Sequence, residues 1–341
     1  MKKNPNFPPI SVIILTRNSE KTLKQCLMGI KMQTYPSVQE VLLIDGGSKD
    51  ATFSIAEESE LPIRIIKGGY PTNQEARRAV GINSARNDYI LSLDSDNYVL
   101  DKNWLKRMLE PFMSDNTLAA SQTLRYAAPK NTDSINRYFG LFGAGDPVAY
   151  YLRKTDRLSW AEDTWNLRGS ILSENKNYYI VQFDPNNYPT LGCNGLVFRK
   201  SIITKAHWKN PTEYFHTDVF VDIGKKGFNR FAIVKNEIYH HSSDNIISYF
   251  AKRNRYMQMH HQDLHRKRRY LVFDPKDSAD VRNLLMYMLF STTLVVPLMD
   301  AMKGYVKKPD LAWFLHPIMC FITTCVYGWA TFNKFRRSIF T

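Results

Sequence analysis

Cysteine is scarce in this chain, which limits the kinds of site and compartment to consider. The four cysteines, Cys26, Cys193, Cys320 and Cys325, show no paired spacing of the kind that zinc sites use. They are also too few for a disulfide scaffold, so we expect structural thiols in a reducing compartment. Internal repeats and low-complexity tracts are absent as well. The N-terminus, 1–9, is polar and has no apolar core, so we expect no cleavable signal peptide.

Acidic residues are outnumbered, with 46 Lys+Arg against 32 Asp+Glu and a net charge of +14. The excess is densest in residues 241–341, which carry 15 basic and 7 acidic side chains. Such a balance suits anionic lipid, phosphorylated substrates or nucleic acid. Nucleic acid is the least favoured of these partners, because the basic residues flank apolar helices and do not alternate with aromatics on a sheet. With 44% hydrophobic residues, the 341-residue chain can bury one large core or two smaller ones.

The first hundred residues alternate apolar strands with amphipathic helices. Strands are predicted at 11–15, 41–44, 63–66 and 89–94, with helices at about 50–59 and 74–85 between the later ones. This alternation predicts an α/β fold with a parallel sheet covered by helices on both faces. Ligands of such sheets bind beyond the carboxyl ends of the strands.

Polar clusters follow three of these strands: Thr16–Asn18, Asp45–Ser48 and Asp94–Asp96. Each alone could be a solvated turn, but together they predict one shared site. No glycine-rich phosphate loop follows the first strand, so a metal is needed to hold phosphates. Asp94 and Asp96, one residue apart, are the candidate ligands of a hard cation. Asp45 could accept hydrogen bonds from a base or a ribose.

These motifs together resemble the first half of a family 2 glycosyltransferase of the GT-A fold. The resemblance implies a mixed, mainly parallel sheet, a UDP- or GDP-linked sugar donor, and Mn²⁺ or Mg²⁺ on the diphosphate. It places the following residues around the donor: Thr16, Arg17, Asn18, Asp45, Gly47, Arg78, Asp94 and Ser95. Two positions depart from the family pattern. Gly46 stands where a second acidic residue is usual, and the helix 75–81 lacks the family's Asn, so that Arg77 and Arg78 either reach a phosphate or form a solvated face.

The second half of the family pattern is also present. Gly192 and Asn194 belong to a segment resembling the Gly-x-Asn-Gly floor of the donor sugar, although a tight strand turn would use the same glycines. The segment 215–220 resembles the acidic motif that supplies the general base. Thr217 replaces the usual Glu there, which leaves Asp218 as the candidate base. If the acceptor is an already ionised phosphate, that base is dispensable and Asp218 orients a neighbour.

Further candidates lie downstream of that motif. His240 or His241 could complete the metal site, as relatives imply, or be structural. Lys252, Arg253 and Arg255 lie on a predicted helix and suit phosphate oxygens. Residues 125–190, rich in Asn, Asp, Tyr and Trp, show no regular pattern and are interpreted as an insertion that shapes the acceptor site, or else as a surface excursion.

Two apolar runs end the chain, 284–299 and 311–332, after the basic run Arg266–Arg269. The first is short for a bilayer span and the second is adequate. Lysines between them disfavour a two-pass hairpin under the positive-inside rule. A two-pass hairpin, a re-entrant pair, two interfacial helices and a soluble helical subdomain all stay open, the first three at the cytosolic face of the cell membrane.

We therefore expect a catalytic domain at 1–245, with a nucleotide-binding half at 1–124 and an acceptor-side half at 125–245. Basic linker helices at 246–280 and a hydrophobic helical membrane-associated region at 281–341 would follow. The hypothesis is a metal-dependent inverting transferase that moves a sugar from a nucleotide-diphosphate donor to a lipid-linked or membrane-bound acceptor. A nucleotidyltransferase on the same fold and a catalytically degenerate membrane scaffold are the alternatives.

Overall fold

The computed structural model describes residues 7–206, 208–258, 268–271 and 273–340. The first two residues of the basic run Arg266–Arg269, and the first six of the chain, lie outside that part. Two compact units result. The sheet unit comprises the described part of Met1–Leu124 together with Gly169–His240, and the helical unit comprises that of Arg125–Arg168 together with His241–Thr341. The domain boundaries expected from the sequence stay a prediction.

Among the described residues, one ten-stranded mixed sheet organises the sheet unit. Its order is β3-β2-β1-β4-β9-β6-β10-β8-β7, with β5 paired to β10. The strands are β1 Ile10–Thr16, β2 Val38–Asp45, β3 Ile63–Lys67, β4 Tyr89–Asp94, β5 Asn97–Tyr98, β6 Ala120–Tyr126, β7 Ser170–Glu174, β8 Tyr178–Gln182, β9 Leu196–Arg199 and β10 Arg230–His240.

The parallel part of the sheet, β3-β2-β1-β4, is the part predicted from the alternating pattern. Strand β1 is buried along its whole length, as its uninterrupted apolar sequence predicts. Its register places Thr16 beside Asp45 and Leu15 beside Asp94, so three strand ends lie side by side. Beyond β4 the pairings β4–β9, β9–β6, β10–β8 and β8–β7 are antiparallel.

Helices follow the strands. They are α1 Leu23–Lys31, α2 Thr52–Glu57, α3 Gln74–Ser84, α4 Trp104–Ser114, α5 Ser134–Phe142, α6 Pro147–Tyr151, α7 Lys200–Ile203, α8 His216–Lys225, α9 Ile246–Tyr256, α10 Ser278–Thr293, α11 Val295–Lys307 and α12 His316–Phe340. Short 3-10 helices occupy Pro211–Glu213 and Leu311–Leu315. The predicted helices at 50–59 and 74–85 are confirmed, and both are shorter than predicted. Helix α3 packs closely on β1 and β2, since a Cβ at Gly81 would lie 2.7 Å from Ile13.

The segment 125–190 contains regular elements that its sequence pattern does not show, and its interpretation as an insertion that shapes the acceptor site stays a prediction. It contains α5, α6, β7 and β8. The contacts also divide it, with 125–168 in the helical unit and the remainder in the sheet unit. The core of the helical unit includes Tyr138, Phe142 and Trp313. The aromatic side chains of this core are packed and not exposed, contrary to the surface-excursion alternative.

The apolar run 284–299 does not form one helix. Helix α10 ends at Thr293, α11 begins at Val295, and the two are bent by 84°. Leu294 between them has a left-handed conformation, φ 62°. Within the described residues, one helix, Leu311–Arg336, is long and apolar enough to cross a membrane. Helices α10 and α11 reach that length and apolarity only if the two are counted together as one span.

Candidate functional site

The carboxyl ends of β1, β2 and β4 form one polar rim. The Thr16 hydroxyl donates to Asp45 Oδ1 at 3.1 Å, which joins the first cluster to the second. The hydroxyl of Ser19, which directly follows the first cluster, lies 2.8 Å from the hydroxyl of Ser95 in the third. The structure thus brings together the three clusters that the strand pattern placed on one rim.

Asp45 is a buried carboxylate that organises the loop after β2. Its Oδ2 accepts the backbone N–H groups of Gly47 at 2.7 Å and Ser48 at 2.9 Å. Its Oδ1 accepts the hydroxyls of Ser48 at 2.5 Å and Thr16 at 3.1 Å. Gly47 has φ +89°, a left-handed conformation that the loop requires and that glycine adopts without strain. Four protein donors therefore already use the carboxylate that was predicted to face a base or ribose.

Asn18 connects the loops that follow β1 and β2. Its backbone φ is 50°, its N–H donates to Ser48 Oγ at 2.9 Å, and its Oδ1 accepts from the Lys49 N–H at 2.9 Å. Arg17 donates to the Pro71 carbonyl at 2.6 Å. These contacts fix the rim from within the chain, so that its exposed surface is formed by a rigid loop pair.

Arg78 holds the first of the two candidate metal ligands. It is buried, and its guanidinium donates to Asp94 Oδ1 at 2.9 Å and to Ser92 Oγ at 2.5 Å. Arg77 is buried too. The solvated-face alternative for this arginine pair is therefore wrong. Arg78 acts on the site through Asp94.

Arg77 occupies the space beside Gly46, where a second acid is usual. Its Nη1 donates to the carbonyls of Tyr70 at 2.7 Å and Pro71 at 3.1 Å. A Cβ added at Gly46 would lie 2.8 Å from the same Nη1. Burial lowers the pKa of Arg77, Asp94 opposes this, and the nearby positive charge of Arg17 adds to it. The guanidinium of Arg77 thus leaves little room for a side chain at residue 46. In the sequence, the only sign of this is the glycine at a position where the family usually has an acid.

His240 faces the second candidate ligand. Pairing of β5 with β10 places His240 opposite Asn97, and its Nε2 lies 3.6 Å from Asp96 Oδ2. His241 has its Nε2 2.9 Å from Asp244 Oδ1 in the helical unit. Of the two histidines left open by the sequence, the structure brings His240 to the rim.

The residues present fit a divalent cation that is shared with a ligand. In the described part of the chain, no group of three His, Cys, Asp or Glu side chains is arranged to hold a metal. Asp96 and His240 nevertheless offer converging oxygen and nitrogen donors, and a diphosphate can supply further oxygens. Cys26 lies below them, with its Sγ 3.8 Å from the Asp94 carbonyl. Burial first, then Asp96 and Asp94, raises its pKa, which makes it an inert thiol.

The segment 192–195, directly before β9, is partly half-buried and partly packed. Gly192 and Asn194 are half-buried, whereas Gly195 has φ +69° and a Cβ there would lie 2.5 Å from Ile238. A tight turn therefore accounts for Gly195, and the role of Gly192 and Asn194 under the donor sugar stays a prediction.

Asp218 lies in the first turn of α8 and is fully buried. His216, two residues before Asp218, donates its backbone N–H to Glu75 Oε2 at 2.7 Å, which ties α8 to α3. Glu75 was not singled out from the sequence, since a Glu in the first turn of a helix is common. This contact fixes the start of α8, and with it the position of Asp218.

The three predicted phosphate-binding residues of α9 belong to the helical unit. Arg253 Nη1 lies 3.7 Å from Asp146 Oδ2, and its guanidinium covers the ring of Tyr249. Lys252 donates to the Ser242 carbonyl at 3.3 Å, and Arg255 is exposed. Arg253 is thus committed to a contact inside that unit, while Lys252 and Arg255 present charge at its surface.

Comparison with known proteins adds independent findings. The family model for Glycosyl transferase family 2 matches residues 11–203, more than half of the chain. An uncharacterized glycosyltransferase of Haemophilus influenzae is 34% identical over 116 residues, which cover 33% of this chain and 45% of the relative. The putative glycosyltransferase EpsH of Bacillus subtilis is 31% identical over 104 residues, 30% of either chain. The matched stretch spans less than half the length of these curated relatives.

A solved structure shares the architecture over nearly the whole chain. The mannosyltransferase PcManGT from Pyrobaculum calidifontis, in complex with GDP-Man and Mn²⁺, superposes with a TM-score of 0.51 at 15% identity. The superposition covers 96% of this chain and 89% of that one. At such low identity the likeness shows a shared fold.

Proposed function

The chain belongs to glycosyl transferase family 2 and has the GT-A fold, and from this premise we propose that it is a metal-dependent inverting transferase. It takes a sugar from a nucleotide-diphosphate donor, UDP- or GDP-linked, and transfers it to a lipid-linked or membrane-bound acceptor at the cytosolic face of the membrane. The family and fold class predicted from the sequence are confirmed. The observation that carries the proposal is the Asp96–His240 pair beside the loop held by Asp45.

The rim supplies the donor site in this proposal. The loops fixed by Asp45 and Asn18 face the base and ribose, with Thr16, Arg17, Gly47 and Ser95 around them. Gly192 and Asn194 lie under the sugar. Because the loop contacts are made within the chain, the site is formed before the nucleotide arrives, and binding orders few side chains.

Asp96 and His240 would hold Mn²⁺ or Mg²⁺, with Asp94 positioned next to them by Arg78. When bound, the cation supplies positive charge for the leaving diphosphate. The Mn²⁺ named with GDP-Man in PcManGT supports this choice of cation. Arg78 adds a second, buried positive charge at the same place on the rim.

Asp218 is the proposed general base, which removes the proton of the acceptor hydroxyl. Its burial keeps water from the carboxylate. Such a base has to come within about 3 Å of the attacking oxygen, so the acceptor must enter deeply. With an ionised phosphate as acceptor no proton is removed, and Asp218 has an orienting role. Lys252 and Arg255, on the surface of α9, are proposed to bind a phosphate; Arg253 supports α9 through Asp146.

The experiment is a screen of UDP- and GDP-sugars for thermal stabilisation with Mn²⁺, Mg²⁺ or chelator, followed by transfer to membrane extract. We expect stabilisation by one base, lost with chelator. His240→Gln should remove the metal-dependent part, and the neighbouring control His241→Gln should keep it. Transfer that survives both Asp94→Ala and Asp96→Ala unchanged would rule out the metal-dependent mechanism.

A further inference from the structure

The bend between α10 and α11 is covered by apolar side chains that the helical unit does not bury. Residues 283–299 include no charged side chain. Between 37% and 62% of each of the following large side chains is exposed: Leu285, Met286, Met288, Leu289, Leu294, Val295, Leu298 and Met299. Soluble proteins rarely leave a contiguous patch of this kind open to water. The patch therefore requires a covering partner.

Both ends of this bent pair are tied to one chain segment, 125–168. At the start of α10, Asp280 forms a buried ion pair with Lys154 at 2.5 Å. At the end of α11, Lys303 pairs with Glu162, and Lys307 pairs with Asp163 at 2.5 Å. The two latter pairs are exposed and contribute little stability. They show where the end of α11 lies: beside the same segment as the start of α10.

Segment 125–168 runs between strands β6 and β7 of the sheet. It holds no apolar run long enough to cross a bilayer. The start of α10 and the end of α11 therefore stay on the sheet's side of any membrane. This excludes a two-pass hairpin with the lysines of 303–308 on the far side.

The length of the apolar part agrees with this topology. From Asn283 to Thr293 the helix rises about 16 Å, against a hydrocarbon core of about 30 Å. The 84° bend at Leu294 then redirects the chain. The pair can reach about half-way into a bilayer, and no further.

We infer that α10 and α11 form a wedge that inserts the Leu294 bend into one leaflet of an anionic bilayer. Arg282, exposed at the start of the apolar stretch, and exposed Lys334 and Arg336 of α12 supply charge for the headgroups. This inference rests on the proposed function and specifies how the protein would bind its membrane. Neither experiment below measures sugar transfer, so the wedge can be refuted while the proposed reaction stands, and the reaction can be refuted while the wedge stands.

The first experiment is sedimentation of the full-length protein with vesicles of phosphatidylcholine, with and without phosphatidylglycerol. Leu289→Glu should weaken binding at least about tenfold, because a buried leucine is lost and a charge is added. Met113→Glu on α4, where the side chain is about as exposed, should bind like wild type. Near-ultraviolet circular dichroism checks that both variants fold. Wild-type binding by Leu289→Glu, or a wild-type protein that dimerises through this face and ignores vesicles, would overturn the inference.

The second experiment tests the topology in cells. A cysteine replaces Val306, which is 81% exposed, in a Cys325→Ser background, and a membrane-impermeant maleimide is applied to right-side-out and inverted membrane vesicles. Met113→Cys marks the side of the sheet unit. Labelling of both positions from the same side is the expected result. Labelling from opposite sides would establish a crossing and overturn the wedge.

Discussion

Replacing Asp45 by Asn separates a structural role of this carboxylate from a nucleotide-binding one. The change keeps the size of the side chain and removes its charge. Asp45 accepts two backbone N–H groups on Oδ2 and two hydroxyls on Oδ1. The amide of Asn can keep its oxygen toward the N–H groups and turn its NH₂ toward the hydroxyls, which rotate to accept. Its four contacts then survive without charge assistance.

The magnitude follows from that loss. A hydrogen bond to a charged group contributes about 1.5–3 kcal/mol and a neutral one about 0.5–1.5 kcal/mol. The two backbone N–H bonds lose about 1 kcal/mol each, and the hydroxyl pair loses a similar sum, so we expect Asp45→Asn to cost about 2–4 kcal/mol of unfolding free energy. The control is Asp50→Asn. Asp50 accepts from the N–H groups of Glu20 and Thr52 but is less buried, so its loss should be smaller.

The assay is urea unfolding of the nucleotide-free, metal-free protein, followed by tryptophan fluorescence, with nucleotide binding by calorimetry on the same samples. Both stability and affinity should fall for Asp45→Asn, because the loop is shared. If the variant unfolds within about 0.5 kcal/mol of wild type while nucleotide affinity drops, the four contacts do not hold the loop, and the reasoning is refuted.

Three other changes test the packing beside Gly46, a buried ion pair in the helical unit and a buried carboxylate of β2. Gly46→Ala should cost about 1–3 kcal/mol, because its Cβ would lie 2.8 Å from Arg77 Nη1 and push the guanidinium away from the carbonyls of Tyr70 and Pro71, and a thermal melt at or above the wild-type value would contradict it. Lys154→Met should cost about 3–5 kcal/mol because it leaves Asp280 buried without its partner, whereas the exposed-pair control Lys303→Met should cost less than about 1 kcal/mol in the same denaturation assay. Burial acts to raise the pKa of Glu40, but hydrogen bonds from the Arg86 N–H and other donors outweigh it and lower the pKa. Its contribution is then present above the unfolded pKa of about 4.3 and lost as the pH falls through the lower folded value, so Glu40→Gln should flatten stability against pH in that acid range, and an unchanged slope would contradict it.

The first half of the sheet could be predicted because its signals are local. Strands β1, β2 and β4 are uninterrupted apolar runs that end in polar turn residues, and strand–helix alternation makes them parallel neighbours. The shared rim of Thr16, Asp45 and Asp94 followed from that arrangement alone.

The rest depended on contacts between residues far apart in sequence. His240 and not His241 lies next to Asp96 because strand pairing places His240 opposite Asn97, which is more than 140 positions earlier in the sequence. The bend at Leu294 is an exception with a local signal, because Pro297 in the first turn of α11 has no N–H for the carbonyl of Thr293, the last residue of α10. Residues 125–168 show no regular pattern in the sequence because their aromatic side chains pack against helices from the end of the chain, and that partner surface is not visible within the segment itself.

Asp94 and Asp96 are equivalent in the sequence motif but not in the structure. Arg78 is buried, and a guanidinium keeps its proton in a protein, so Asp94 balances a fixed positive charge. A cation placed on Asp94 alone would add a second positive charge to one carboxylate. Asp96 lies 3.6 Å from His240, whose imidazole nitrogen can bind a cation. In the proposed mechanism the cation is therefore held on the Asp96 side of the pair, and Asp94 would connect it electrostatically to Arg78, so that two positive charges would lie together at the leaving diphosphate.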